Sequence, residues 1–387
     1  MVFSWTTPER RLGHRALPIV PNEIYLEIID TVEASGSPGP RLTRACIRTL
    51  SNLALVCRFF CAMVLPRIFK SVTFYGDAGP SDVARKTAWC RQINGGKEPA
   101  LSLALYVTDC QFKNWLGTSW VHDGFSALYA KAMSRMSNLA SVAFYDCAVK
   151  EPHWGALCQL GRLESLVFNH CNVAPPPPEQ ATLGVMRLKI ITSEILEHSV
   201  HEFARAVASP SLRFLKTDDI SVADEIAHHL AGGEPALEEL HLRDIDHHDI
   251  VTLHAILAHT GPAITHLSVR ASASLWLQLE LTAASLPRVR SLRLKMPEPQ
   301  LLSAMWAKQT IYAICRGFCP HPPLRRLEVV GATSSRLGAD VVTWEVLADL
   351  VTTSVVEAFP GVCYVRGAEK VMQLEGGSWR QFHCWDT

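Results

Sequence analysis

The chain has 387 residues, more than the roughly 250–300 at which one hydrophobic core stops growing, so several domains or a stack of repeats is expected. Hydrophobic residues make up 48% and charged residues 19%, which supports a packed core and excludes wholesale disorder. The 37 basic and 37 acidic side chains cancel, so net charge gives no general reason to bind nucleic acid or an anionic membrane.

The chain is expected to act inside the cell, in the cytoplasm or the nucleus. Residues 1–14 are polar and carry Glu9, Arg10 and Arg11 where a secretory signal would need an apolar stretch. No segment approaches the ~20 apolar residues of a membrane-spanning helix. The 12 cysteines are scattered, which favours reduced, mostly buried thiols over a disulfide framework.

Residues 17–32 predict the first helix. Prolines punctuate its start, and Ile24, Ile28 and Ile29 share one helical face through about residue 32. The stretch 34–40 is rich in glycine and proline, so it cannot continue the helix and predicts a loop.

A second helix is predicted from Thr43 to about Val56, because apolar residues recur there at helical spacing. Residues 56–70 carry further apolar and aromatic side chains. Val72 and Phe74 then alternate as a first β-strand would. Taken alone, the apolar stripes also fit helices that simply close on a core of their own.

The order of these motifs resembles the F-box and F-box-like domains, particularly the divergent fungal versions. The resemblance covers roughly residues 15–70 and rests on a Leu-Pro opening, a Pro-x-Glu-Ile segment and the downstream segment Leu-Val-Cys-Arg-Phe-Phe. It implies a three-helix module that binds the Skp adaptor of a cullin-RING ubiquitin ligase. The residues implied for adaptor binding are Leu17, Pro18, Ile24, Ile28, Leu53, Val56, Cys57, Arg58 and Phe59.

The remainder of the chain repeats the pattern apolar-x-x-apolar-x-apolar. Its eight clear copies begin at Leu139, Leu163, Val185, Leu212, Leu237, Ile264, Val289 and Leu324. Most successive copies are spaced within the ~20–29-residue period of leucine-rich repeats, which this part of the chain resembles. A degenerate copy lies near Val362, and an early strand out of register is expected at 101–107.

Helical patterns lie between these predicted strands. They cover residues 194–209, 221–231, 249–260, 300–317 and 340–358. Strand and helix repeated at this period predict a curved, leucine-rich-repeat-like solenoid with a parallel sheet. The predicted fold class is therefore α/β, with a tail at 1–14, a three-helix F-box-like module at 15–75 and the solenoid with its C-terminal cap at 76–387.

No motif for chemistry occurs, so neither catalysis nor a cofactor is expected. Phosphate-binding loops, nucleophile elbows and dinucleotide fingerprints are all missing from the sequence. Cys315 and Cys319 lack further ligands at zinc-site spacing, so no metal site is predicted. The histidine pairs at 228–229 and 247–248 are expected to be exposed surface residues, the alternative being a histidine-rich binding patch.

The outward positions of parallel strands are where such a solenoid usually binds its partner. In three consecutive repeats these positions carry His241, Arg243, Arg270, Arg293 and Lys295. They predict a basic ridge for an acidic segment of an unknown client protein. The sequence thus predicts a non-catalytic substrate receptor of a Skp–cullin–F-box ubiquitin ligase, with neither membrane nor nucleic acid as a partner. The alternatives are a repeat scaffold without ligase function and, with no supporting motif, an enzyme on an α/β solenoid.

Overall fold

A computed structural model describes part of the chain. The described residues are 22–34, 43–116, 120–177, 182–233, 236–271, 286–295, 323–330, 348–349, 354–367, 370–375 and 377–383. The chain divides into two compact units, Met1–Leu163 and Glu164–Thr387. The sequence places a boundary at residue 75, between a helical module and the repeats. That division differs from the division into two compact units, and it stays a prediction. Among the described helices, none is both long enough and apolar enough to cross a membrane.

Three helices open the first unit: α1 (Asn22–Ala34), α2 (Arg44–Val56) and α3 (Arg58–Ile68). Helix α2 begins where the sequence predicts it, because the Thr43 hydroxyl accepts a hydrogen bond from the backbone N–H of Cys46. Burying that first turn without a cap would leave backbone donors without acceptors.

The three helices share a buried cluster of their own. Its fully buried members are Ile29, Cys46, Leu50 and Val64. Beside it, the Tyr25 ring packs edge-on against Phe59 and Phe60, with ring centroids 5.3 and 5.5 Å away. This part of the chain therefore has a local core that includes residues from all three helices.

The first unit continues with alternating strands and helices. These are β1 (Ser71–Tyr75), α4 (Pro80–Asn94), α5 (Ala100–Ala104), β2 (Asp109–Lys113), α6 (Trp120–Met133), β3 (Ser141–Tyr145), β4 (Ala148–Val149) and α7 (Glu151–Leu157). Strands β1, β2 and β3 pair in parallel in that order. Phe74, Phe112 and Phe144 stand opposite one another in this register, with successive ring centroids 5.3 and 5.1 Å apart. Aromatic stacking of this kind adds to the burial that holds neighbouring strands together.

The second unit has the same alternation over a longer stretch. Its elements are β5 (Ser165–Asn169), β6 (Asn172–Val173), β7 (Arg187–Ile191), β8 (Glu194–Ile195), α8 (Val200–Val207), β9 (Phe214–Thr217), α9 (Ile220–Leu230), β10 (Glu239–Ile245), α10 (Ile250–Thr260), β11 (His266–Ala271), β12 (Ser291–Lys295), β13 (Arg326–Val330), α11 (Val356–Ala358), β14 (Tyr364–Gly367), β15 (Lys370–Glu375) and β16 (Ser378–His383). Strands β5, β7 and β9 to β14 pair in parallel, each with the next, and β14, β15 and β16 pair antiparallel. The fold is therefore α/β with a large, mostly parallel sheet.

The apolar segments of the second unit lie side by side, as the sequence predicts. The fourth positions of the motif are in register on successive strands: Leu166, Leu188, Leu215, Leu240, Leu267, Leu292 and Leu327. Each of these side chains is at most 1% exposed. One face of the parallel sheet is thus a continuous apolar layer, covered from water.

Two local predictions were wrong. The predicted strand at 101–107 is the helix α5, and the strand begins at Asp109. The alternating leucines of this segment fit a strand, because over so few residues apolar spacing does not distinguish a strand from a helix. In the structure, Ala100 and Ala104 are buried at helical spacing. The predicted helix at 194–209 begins only at Val200, because residues 194–195 pair with β6. The predicted helix at 300–317 and most of that at 340–358 lie outside the described residues.

A left-handed residue ends several of the strands. Positive φ occurs just after β2, β3, β5 and β7 and near the end of β10, at Asn114, Asp146, His170, Thr192 and Asp244. Asn, Asp and His tolerate this conformation better than most residues, whereas β-branched Thr192 does not. The carboxylate of Asp218 compensates, since it accepts hydrogen bonds from both the backbone N–H and the hydroxyl of Thr192.

Candidate functional site

The outward face of the second unit's parallel sheet carries a row of polar and charged side chains. Side chains alternate along a strand, so the residue after each buried leucine points away from the apolar layer. The residues in register along this row are Lys189, Lys216, His241, Ser268, Arg293 and Glu328. The outward positions two residues further along carry Arg243, Arg270 and Lys295, of which the last two are paired in register.

We call Lys189, Lys216, His241, Arg243, Arg270, Arg293 and Lys295 the basic sheet face. All five residues predicted for client binding belong to it. Lys189 and Lys216 were missed by sequence reasoning, although they follow the fourth position of their repeats just as His241 and Arg293 do. Applying the repeat register to every copy would have found them.

Part of this positive charge is neutralised within the sheet. Glu328 is only 3% exposed, and its carboxylate contacts the guanidinium groups of Arg293 at 2.9 Å and of Arg326 at 2.5 Å. A buried carboxylate needs such partners, because desolvating it alone is costly. Arg270 similarly contacts Asp244 at 3.3 Å.

Four cations of this face form no ion pair within the described part of the chain: Lys189, Lys216, Arg243 and Lys295. Burial, together with the positive charges of Arg293, Lys216 and Arg243, lowers the pKa of Lys295 to about 8, and the Glu328 carboxylate opposes this in part. Burial also lowers the pKa of Lys216, with contributions from Arg243, Lys189 and Arg293. Crowded like charges that lower one another's pKa are favourable binding sites for an anionic group.

His241 is held mainly as a neutral ring. Burial lowers its pKa, the nearby Glu239 carboxylate opposes this, and Lys216 and Lys295 reinforce it. The ring packs against Phe214 with centroids 5.0 Å apart. The Arg187 guanidinium covers the same phenyl ring at 4.4 Å from its centroid. Phe214 is therefore enclosed by its neighbours, and its packing contacts stabilise the basic sheet face.

The helices α1 and α2 expose apolar side chains despite having a closed core beside them. Ile24 and Ile28 are nearly half exposed, Val56 is 67% exposed and Leu55 is 85% exposed. We call these four residues the apolar helix patch. Leu55 was missed by sequence reasoning, because it lies off the apolar stripe of α2 and nothing in its spacing marks it.

The other residues predicted for adaptor binding lie in different environments. Cys57 and Arg58 are exposed at the junction of α2 and α3. Leu53 packs against the local core, and Phe59 is 8% exposed within the aromatic cluster. Leu17 and Pro18 lie outside the described residues.

A cleft of about 930 Å³ lies in the first unit between the end of α3 and α4. Phe69 and Trp89 contribute its aromatic lining, with ring centroids 6.3 Å apart. Two of its cations are engaged in ion pairs: Arg67 contacts Asp30 at 2.6 Å, and Lys86 contacts Asp82 at 2.7 Å. Lys70 also lines the cleft and forms no ion pair within the described part of the chain.

A buried Ser–His pair in the first unit is a packing contact and is not arranged as a nucleophile. Ser126 Oγ lies 2.8 Å from His153 Nε2, and the His153 Nδ1 accepts the backbone N–H of Lys150. A neutral ring that accepts at Nδ1 carries its proton at Nε2, so it donates to the serine and cannot act as its base. The ring also stands edge-on between Phe112 and Phe144 in the core.

Comparison with known proteins is uninformative about function. No family model matches this chain, and no curated protein matches it. A protein from Bacteroides fragilis, solved by a structural genomics consortium, is similar at 13% sequence identity and a TM-score of 0.44. The match covers 71% of this chain and 77% of that chain. A match at this level of identity and TM-score gives no information about function. The class that the structure itself defines is an α/β protein with a large, mostly parallel sheet.

Crowding on the basic sheet face gives a prediction about Lys295. Its pKa, measured by NMR on isotopically methylated lysines, should be about 8. Arg293→Gln should raise that pKa, because a like charge is removed, and Arg288→Gln, an exposed arginine before the same strand, should leave it unchanged.

A lysine with a lowered pKa releases its proton more readily when folded, so its contribution to the unfolding free energy rises with pH between about 8 and 10.5. A pKa near 10.5 in the folded chain would contradict the crowding.

Proposed function

We propose that this protein is a non-catalytic substrate receptor of a Skp–cullin–F-box ubiquitin ligase, acting in the cytoplasm or nucleus. The helices α1 to α3 bind the Skp adaptor, and the basic sheet face binds an acidic segment of the client protein. The single observation that carries the proposal is the apolar helix patch, which lies on helices that already have a core of their own.

The patch supports a partner because folding does not require it. Ile29 and Leu50 are fully buried and supply the local core, whereas Leu55 and Val56 remain open to water at the end of α2. Contiguous exposed apolar side chains mark interaction sites, and here Ile24 and Ile28 are one helical turn apart on α1 while Leu55 and Val56 are neighbours at the end of α2. The F-box resemblance, which covers these same helices, names the adaptor as the partner.

The basic sheet face supports an acidic client segment. Lys216, Arg243 and Lys295 are left without ion pairs among the described residues, and burial together with the neighbouring positive charges lowers the pKa values of the two lysines. An anion placed there would relieve the repulsion as well as form charge-assisted hydrogen bonds. A repeat scaffold without ligase function would share this face, so adaptor binding is what separates the two proposals.

The adaptor proposal predicts the effect of a charge in the apolar helix patch. Val56→Asp should weaken binding of the purified Skp adaptor at least about tenfold, because a carboxylate would be desolvated in the interface. Val251→Asp is the matched control, since Val251 is 75% exposed on α10 in the second unit. Affinity is measured by calorimetry, and circular dichroism verifies that both variants fold.

Failure of the wild-type chain to bind the adaptor would leave the repeat scaffold as the remaining proposal. Equal weakening by Val56→Asp and Val251→Asp would show that the apolar helix patch is not the binding surface.

The client proposal predicts the effect of charge reversal on the basic sheet face. The triple variant Lys216→Glu/Arg243→Glu/Lys295→Glu should bind a fluorescent glutamate-rich peptide at least about tenfold more weakly than the wild type. Arg293 is left intact, because a glutamate there would stand beside the buried Glu328. The matched control reverses three exposed arginines next to strands β12 and β13, namely Arg288, Arg290 and Arg325.

The peptide assay is run beside a single-stranded oligonucleotide of equal charge, at low and at physiological salt. Preference for the peptide, lost only in the face variant, supports the proposal. Preference for the oligonucleotide, or equal losses in the face and control variants, contradicts it.

A further inference from the structure

Helices α8 and α9 bring together two histidines and a glutamate that lie far apart in the sequence. Glu225 and His229 are four residues apart on α9, so they share one face of that helix. His201 reaches the same point from the first turn of α8. Of the three, only His229 was weighed from the sequence, as an exposed surface residue or as part of a histidine-rich binding patch. His201 and Glu225 were missed, because only the packing of successive helices brings α8 and α9 side by side.

The potential ligand atoms already lie close together. His201 Nδ1 is 2.6 Å and His229 Nε2 is 3.6 Å from the same oxygen, Glu225 Oε1. The two imidazole rings lie 4.7 Å apart between centroids, and one ligand atom from each residue falls within 4.8 Å of the other two. In a tetrahedral zinc site, bonds of ~2.0–2.2 Å place neighbouring ligand atoms roughly 3.4 Å apart. Modest side-chain rotations would convert one arrangement into the other.

The His229 side chain lacks a hydrogen bond that its position calls for. Its Nε2 atom is shielded from water and has no hydrogen-bond partner among the described residues, since the carboxylate oxygen at 3.6 Å is too far for one. A buried polar atom left without a partner is uncommon and calls for an explanation such as an ion. The His201 side chain is 63% exposed, so it can move to admit that ion.

We propose that His201, Glu225 and His229 bind a zinc ion that joins α8 to α9. Two imidazole nitrogens and one carboxylate oxygen are a donor set that suits Zn²⁺ better than hard cations such as Mg²⁺. Water fills the fourth position on the exposed side. The ion would tie together the helices of two successive strand–helix units, so its effect is on the rigidity of the second unit. The site is independent of the basic sheet face and of adaptor binding.

The test measures zinc binding to the full chain in a thiol-free reductant, by titration against a chromophoric chelator. Cysteines could also bind the ion, so Co²⁺ is used in parallel: nitrogen and oxygen ligands give ligand-field bands without the strong thiolate charge-transfer band. The wild type should bind one ion with such a spectrum and should melt at a higher temperature when the ion is present.

The variants His201→Ala, Glu225→Gln and His229→Ala should each weaken this ion at least about tenfold and remove the thermal shift. The matched control is His254→Ala, an exposed histidine on α10, which should change neither. Because His201 is mostly exposed, its alanine variant keeps the test valid if His229→Ala fails to fold.

If the folded His201→Ala variant keeps the wild-type zinc affinity, the proposal is wrong, and the three residues form only an ion pair between the two helices. A Co²⁺ spectrum dominated by thiolate bands, equal in the wild type and His201→Ala, would overturn it as well.

Discussion

The in-register pairing of the parallel strands is the constraint on which the rest of the second unit depends. Each repeat contributes one leucine to a common buried row, and every member of that row is covered from water. Because strand side chains alternate, burying that row forces the next residue of every repeat to the opposite face, at the ~4.8 Å spacing of neighbouring strands. Lys189, Lys216 and His241 are therefore adjacent as a consequence of burying the leucines.

Charge on the basic sheet face follows from the same pairing. Long cations one strand apart repel, and the sheet accommodates them in two ways. Near β13 it buries Glu328 between Arg293 and Arg326, which neutralises the crowding locally. Near β10 it leaves Lys216 and Arg243 without ion pairs among the described residues, and burial together with the charges of Arg243, Lys189 and Arg293 lowers the pKa of Lys216. The acidic client segment proposed for this face rests on that unpaired positive charge.

The sequence predicted the elements that can be recognised from the spacing of apolar residues along a short stretch of chain. The eight strands that carry the apolar motif, from Ser141–Tyr145 to Arg326–Val330, were recognised by their repeated spacing, and α2 by its spacing up to Val56, because both patterns are read directly from neighbouring residues. The two-residue strands and the antiparallel strands β15 and β16 were not recognised. The short alternation at 101–107 was misread, since so few residues fit a strand and a helix equally well. Leu55 was missed because it lies off the apolar stripe of α2, where spacing does not distinguish a leucine that contacts a partner from an ordinary exposed one.

The candidate sites show the same limit of prediction from sequence. His241 and Arg293 were found because each follows a motif leucine, whereas the contact between His201 and Glu225 joins residues on successive helices whose relative rotation is set by packing. The left-handed residues that end the strands, such as Thr192, were equally hidden, because Thr is a residue that ordinarily disfavours that conformation.

Site-specific disulfide formation tests the register of the sheet most directly. Lys216 and His241 are partners on adjacent strands, so the double variant Lys216→Cys/His241→Cys should form a disulfide on mild oxidation, located by peptide mass mapping. The variant Lys189→Cys/His241→Cys spans two strand spacings, roughly 10 Å, and should not. A disulfide in the second variant and none in the first would contradict the register, and with it the apolar layer and the basic sheet face that the register creates.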